Sequence, residues 1–149
     1  MATYFTLNEF IRSETAKRLG IDNTPTPEAK RNLLQLMEFL DDLRWGWTLH
    51  CDANELGSGK LRINSGYRCP ELNKAVGGVE TSAHLTGFAA DIWPYNGHLD
   101  EFKLFLANYL KDKDYDQCID EQSGKSRWIH LGLYGLNGGQ RHQMFSLNV

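Results

Sequence analysis

Three side chains in two short segments have the types and spacing for metal chemistry. In Ser82-Ala-His84-Leu-Thr-Gly87-Phe-Ala-Ala-Asp91, His84 and Asp91 stand seven positions apart. His130 lies at the centre of Trp128-Ile-His-Leu-Gly132. Two imidazoles and one carboxylate are a common protein set of a catalytic zinc site, with the fourth position left for water. The same set also suits iron or manganese. Spacing alone is weak, because the chain has five His. His50, His98 and His142 read as surface or structural residues. Two further clusters carry reactive types. Ser65-Gly-Tyr-Arg68 could turn an arginine into a cleft, where its planar fork grips a carboxylate or carbonyl; the plainer reading is a surface arginine in a turn. Asp116-Gln-Cys-Ile-Asp-Glu121 offers Asp116, Asp120 and Glu121 as general bases, against the plainer reading of a solvated strand end.

These residues must be placed by the elements around them. Thr6-Leu-Asn-Glu9 has the form of a capping box and predicts a helix from near Leu7 to Ser13. Glu14–Leu19 reads as a second short helix, stopped by Gly20. Thr26 as N-cap and Pro27 at the first helical position open a long helix. Its apolar stripe is Leu33, Leu36, Met37, Leu40 and Leu43, and its expected end is near Arg44, before Gly46. Leu61–Ser65 alternates like a strand. Pro70 opens a short helix over 71–76. Residues 79–88, with His84, read as a loop, and 89–93, with Asp91, as a strand. Residues 99–110 form an amphipathic helix. Strands follow over 115–121, 128–133 and 143–147.

In the strand around His130, Ile129, Leu131 and Leu133 share the core face, so His130 shares the other with Trp128 and Gly132. In the strand before it, Gln117, Ile119 and Glu121 share one face and Asp116, Cys118 and Asp120 the other. Only one set can face a metal, and alternation does not say which. Helices come first and strands dominate the second half. This order predicts an α+β fold, with a mainly antiparallel sheet of about four strands and helices packed on one face.

The composition excludes several classes. A length of 149 residues suits one domain, 1–149, large enough for its own core. The net charge of −3 leaves no basic excess to drive binding to nucleic acid or an anionic membrane. No apolar run approaches the roughly 18 residues of a membrane span. Cys51, Cys69 and Cys118 form no CxxC and read as free thiols of a reducing compartment. The N-terminus lacks the basic and apolar regions of a secretory signal, so synthesis in the cytoplasm without a signal peptide is expected. A monomer is the default expectation.

Together, SGYR (65–68), ELN (71–73), SxHxxGxAxD (82–91), DQxIxE (116–121) and WIH (128–130) resemble the zinc D-Ala-D-Ala carboxypeptidase family. That family includes phage-type peptidoglycan endopeptidases and shares the hedgehog-like fold. Tyr4-Phe-Thr-Leu-Asn-Glu-Phe10, Arg12-Ser13 and Asn23-Thr-Pro25 are similar to the opening of its short, single-domain members from phage and bacterial genomes, so the resemblance spans nearly the whole chain. It implies a Zn2+-dependent peptidase acting on stem peptides or cross-links of peptidoglycan, as carboxypeptidase or endopeptidase. It further implies an endolysin-like protein that reaches the cell wall after release or delivery.

By position, His84 and Asp91 match the first two zinc ligands and His130 the third. Arg68 matches the arginine that binds or polarises the substrate carbonyl or carboxylate. Tyr67, Ser82 and Trp128 are expected beside it at the substrate, with Ser82 also ordering the ligand loop. There is one departure. Many members carry Glu or Asp three residues before the last His ligand, as general base, and this chain has Arg127 there. Glu121 is then the leading substitute, since in a hairpin it would lie across from Trp128 or His130; Asp116 and Asp120 follow. Were the base lost, the chain would be a zinc-containing module that binds cell-wall peptides with weak or no catalysis. A third reading is a hedgehog-type interaction protein with a structural metal.

Overall fold

A computed structural model describes residues 4–149. Its centre is one five-stranded sheet in the order β1-β2-β4-β3-β5, built from Leu61–Ser65, Ala89–Pro94, Gln117–Ser123, Ser126–Gly132 and Gln143–Asn148, numbered β1 to β5 in chain order. The first four strands in that order pair antiparallel, as the α+β expectation has it. The sheet has a fifth strand beyond the expected four or so, and β5 lies parallel to β3. The reason is local. The returning chain is pinned at the start of β3, where His142 N donates to Tyr115 O and Gln143 N to Asp116 O. From that point β5 can only run beside β3 in the same direction.

Helices α1 (Glu14–Leu19), α2 (Pro27–Ala53), α3 (Pro70–Ala75) and α4 (Leu99–Tyr109) complete the regular structure with three one-turn 3-10 helices. The expected helix over 7–13 shrinks to one such turn, Leu7–Phe10, because Ser13 already caps α1 by accepting from Ala16 N. Helix α2 continues well past Arg44, through Gly46. A Cβ at Gly46 would sit 3.2 Å from Cζ of Phe105, so this glycine lets α4 approach closely. Beyond it, Trp47 and Cys51 are fully buried and extend the apolar stripe. That packing offsets the roughly 1 kcal/mol a glycine costs inside a helix. No helix among the described residues is long and apolar enough to cross a membrane.

Helices α2 and α4 cover one face of the sheet. Leu33, Leu36, Leu40 and Leu43 of α2 meet Phe102 and Leu106 of α4 over Ile63, Ile92, Ile129 and Leu131, all of them buried. The opposite face carries Asp91 and His130, which are direct partners across β2 and β4.

The loop after β1 is held from outside the sheet. Asn23 Nδ2 donates to Ile11 O at 2.7 Å and Tyr67 O at 3.0 Å, while its Oδ1 accepts from Cys69 N at 2.8 Å. Tyr67 N donates to Phe10 O, and Arg68 N to His84 O. One buried amide thus ties the N-terminal segment to the Ser65–Cys69 loop and, through it, to His84. Asn23→Ala leaves those backbone groups unsatisfied and is expected to cost roughly 1–3 kcal/mol. A lowered urea midpoint at unchanged slope is the readout.

Candidate metal centre

His84 sits in a 3-10 turn, Ala83–Thr86, within the stretch expected to be loop. Ser82 caps that turn by accepting from His84 N, and Gly87, at φ 84°, closes it in the left-handed region open to glycine. Asp91 comes from β2 and His130 from β4. Asp91 Oδ1 lies 3.2 Å from His84 Nε2 and 3.1 Å from His130 Nδ1. One ligand atom from each of the three residues lies within 4.8 Å of the others, so the trio could hold a metal ion.

The donor set fits a cation on its own chemistry. His84 Nδ1–H donates to the carbonyl of Gly66 at 2.6 Å, which fixes the tautomer. Nε2 then turns a lone pair toward the Asp91 carboxylate. Two lone pairs facing each other at that distance are relieved by a positive charge between them, a bound cation or the second proton of an imidazolium. Burial pushes the Asp91 carboxyl up, but His84 and the hydrogen bond from His130 outweigh it and hold Asp91 well below the usual carboxylate range. Burial lowers His84, which favours the neutral imidazole that metals require. Burial opposes charge on His130 too, yet the hydrogen bond and charge of Asp91 raise it on balance.

The register answers which face of β3 looks at the site. Ile119 pairs with His130 and Glu121 with Trp128, so Gln117, Ile119 and Glu121 share the face of His130. Trp128 Nε1 donates to Glu121 Oε1 at 2.9 Å, and that oxygen lies 4.0 Å from His130 Nδ1. Glu121 is not a member of the ligand trio. The other two base candidates are engaged elsewhere. Asp116 is buried and accepts from Arg141 Nε and Nη2, both at 2.8 Å. Asp120 lies on the helix-covered face, gripped by Arg127 at 2.8 and 2.7 Å and by Lys103 at 3.0 Å. Arg127, which stands where the resemblance implies a base, also pairs with Asp100 and points away from the trio.

The Asp120 cluster makes a pH prediction. Hydrogen bonds from Arg127, ahead of the opposing effect of burial, bring its carboxyl down from 3.8 to about 2. The stabilisation is complete above the unfolded value near pH 4 and is lost as pH falls through about 2. Arg127 and Lys103 are partly exposed, so solvent screening leaves about 1 kcal/mol. Asp120→Asn is therefore expected to unfold more easily than wild type at neutral pH, by a gap that closes towards pH 2. Paired urea titrations read it.

The trio opens into a cleft of about 590 Å³, bordered by Arg68, Ser82, Glu121 and Trp128. Ser82 Oγ accepts from Arg68 Nη2 at 3.3 Å while it caps the His84 turn, so it links the arginine to the ligand loop. Tyr67 does not line this cleft; it is buried against the core and lines a neighbouring cavity that Arg68 also borders. The backbone explains this: Gly66 is pressed on Phe10, where no Cβ fits, and the turn directs Tyr67 inward. His50 and His142 lie elsewhere, near Glu101 and Asp114. Three contributors escaped the sequence reading: Asn23, the Gly66 carbonyl, and the β5 side chains Phe145 and Leu147, which line the cleft. The spacing of Phe145 and Leu147 puts them on one face, but no local signal predicts the parallel return beside β3.

Compared with known protein families, the chain matches the model described as Peptidase M15 over residues 3–132, a stretch that includes all three trio residues and ends before β5. No curated protein matches the chain.

Proposed function

The chain belongs to the peptidase M15 family, and from that premise we propose that it is a zinc-dependent peptidase hydrolysing stem peptides or cross-links of peptidoglycan. The observation that carries this reading is the trio of His84, Asp91 and His130 with Glu121 beside it in one cleft. His84, Asp91 and His130 would hold the ion. When bound, zinc supplies a Lewis acid for the scissile carbonyl and lowers the pKa of water to about 7.

The chain's own groups do the rest. Glu121 accepts the proton of the attacking water and passes it to the leaving amine. The Trp128 indole holds its Oε1 in place for that transfer. Arg68 donates to the carbonyl oxygen as negative charge gathers there. Its side chain is largely desolvated, and Asp91 and Glu121 favour its charged form. Phe145 and Leu147 give the cleft an apolar wall for the peptide to pack against. We place the protein at the cell wall as a monomer, after release or delivery from the cytoplasm, without a nucleic-acid partner.

Arg127 at the usual base position supports a second reading, a zinc-containing module that binds wall peptides with weak or no catalysis. The pairing of Arg127 with Asp120, and the position of Glu121, weigh against it. Mass spectrometry of defined stem and cross-linked peptides incubated with zinc-loaded protein tests the choice. Fragments whose masses sum to the peptide plus one water support the peptidase and name its bond. Intact peptide that nevertheless binds the protein supports the module.

A further inference from the structure

A second cavity, of about 370 Å³, adjoins the cleft, and Arg68 and Val76 line both. Its wall brings together Arg12 from the segment before α1, Arg62 from β1 and Arg68 from the loop after β1. Among the described residues, the arginine ion pairs belong to Arg127 and Arg141. Arg12, Arg62 and Arg68 have none, although Glu14 lines the same cavity. Arg68 Nε is buried without a hydrogen-bond partner. In a chain of net charge −3, Arg12 and Arg62, neither of them ion-paired, add positive charge around this hollow beside Arg68. Their planar forks suit a carboxylate.

The place of this hollow relative to the metal trio follows from the strand register. Ser65 pairs with Asp91 and Arg62 with Trp93, so Arg62 stands on the cleft face, three residues along β1 from the partner of a trio residue. A bulge at Asn64 sets those three residues against only two of β2, Asp91 to Trp93, about 7 Å or two residues of extended peptide. We propose that Arg12 and Arg62, beside Arg68, form a carboxylate subsite that binds a second acidic group of the peptide substrate, about two residues from the bond that is cut. The proposal rests on the peptidase reading for its substrate. An acidic side chain and a chain terminus offer the same carboxylate.

The test uses the zinc-loaded full chain with Glu121→Gln, which slows turnover. Calorimetric titrations compare a stem peptide with free acidic groups, the same peptide amidated at its side chain, and the same peptide amidated at its terminus. Arg12→Ala and Arg62→Ala, both at exposed positions, are each expected to weaken the acidic peptide about tenfold, the scale of one charge-assisted hydrogen bond. The amidated form that binds weakly from the start, and that the arginine variants no longer weaken, identifies the source of the carboxylate. Equal weakening of all three peptides, no weakening at all, or no binding by any peptide would overturn the subsite. Hydrolysis by the wild type is followed in parallel. Cleavage without arginine dependence removes the subsite alone. Arginine-dependent binding without cleavage keeps the subsite and removes the peptidase reading.

Discussion

Glu121→Gln is expected to lower kcat about 10²–10⁴-fold, the range for a lost general base, while zinc content and fold stay as in the wild type. The substitution keeps the size of the side chain and an oxygen that can accept from Trp128 Nε1, so the local geometry has no reason to change. What it removes is a carboxylate able to take a proton next to His130. Of the three base candidates, Glu121 is the one on the cleft face of β3 and the one with no ion pair to an arginine or lysine among the described residues. Asp116 is locked to Arg141 and Asp120 to Arg127 and Lys103. Steady-state rates on one defined peptide, with zinc analysis and circular dichroism of the same samples, provide the check. A variant that turns over as fast as wild type would take the base role away from Glu121.

Asp91→Asn is expected to remove both metal and activity. Its carboxylate faces both imidazoles through one oxygen, at 3.2 and 3.1 Å, and is the only anion of the trio. The amide is neutral and coordinates poorly. Metal affinity should fall by more than the about 10–100-fold that follows loss of an outer hydrogen-bond partner. Zinc per chain after dialysis is the first readout and hydrolysis the second. One zinc retained per chain would show that the ion is held elsewhere. The two variants separate the roles, since Glu121→Gln keeps the ion without the chemistry and Asp91→Asn loses both.

The trio was weakly legible from the residues, since alternation about His130 turns it from the core but four other His compete with it; the family resemblance is what singled out His84, Asp91 and His130 together. The face of β3 was not legible. A period of two leaves two equivalent answers, and the pairing of Glu121 with Trp128 chooses between them. The end of α2 was misjudged for a tertiary reason: Gly46 looks like a stop until the Phe105 ring above it is seen. Tyr67 shares a motif with Arg68 yet points into the core, because neighbours in a turn need not face the same way. The part of Asn23 depends on backbone groups from three separate stretches of chain. Such long-range hydrogen bonding leaves no periodic trace in a sequence. β5 was readable as a strand, but its parallel place depends on the contacts that tie residues 141–143 to Tyr115 and Asp116.

The central claim is that the trio holds a zinc ion that this chain uses to cut peptides. The most direct measurement is the release of new amine groups from a defined peptidoglycan peptide by one protein sample in three states: as purified with zinc, after chelation, and after zinc is returned. Amine release that stops on chelation and recovers at about one zinc per chain is the predicted result. Release that persists unchanged in the chelated sample, or no release in any state, would contradict the account.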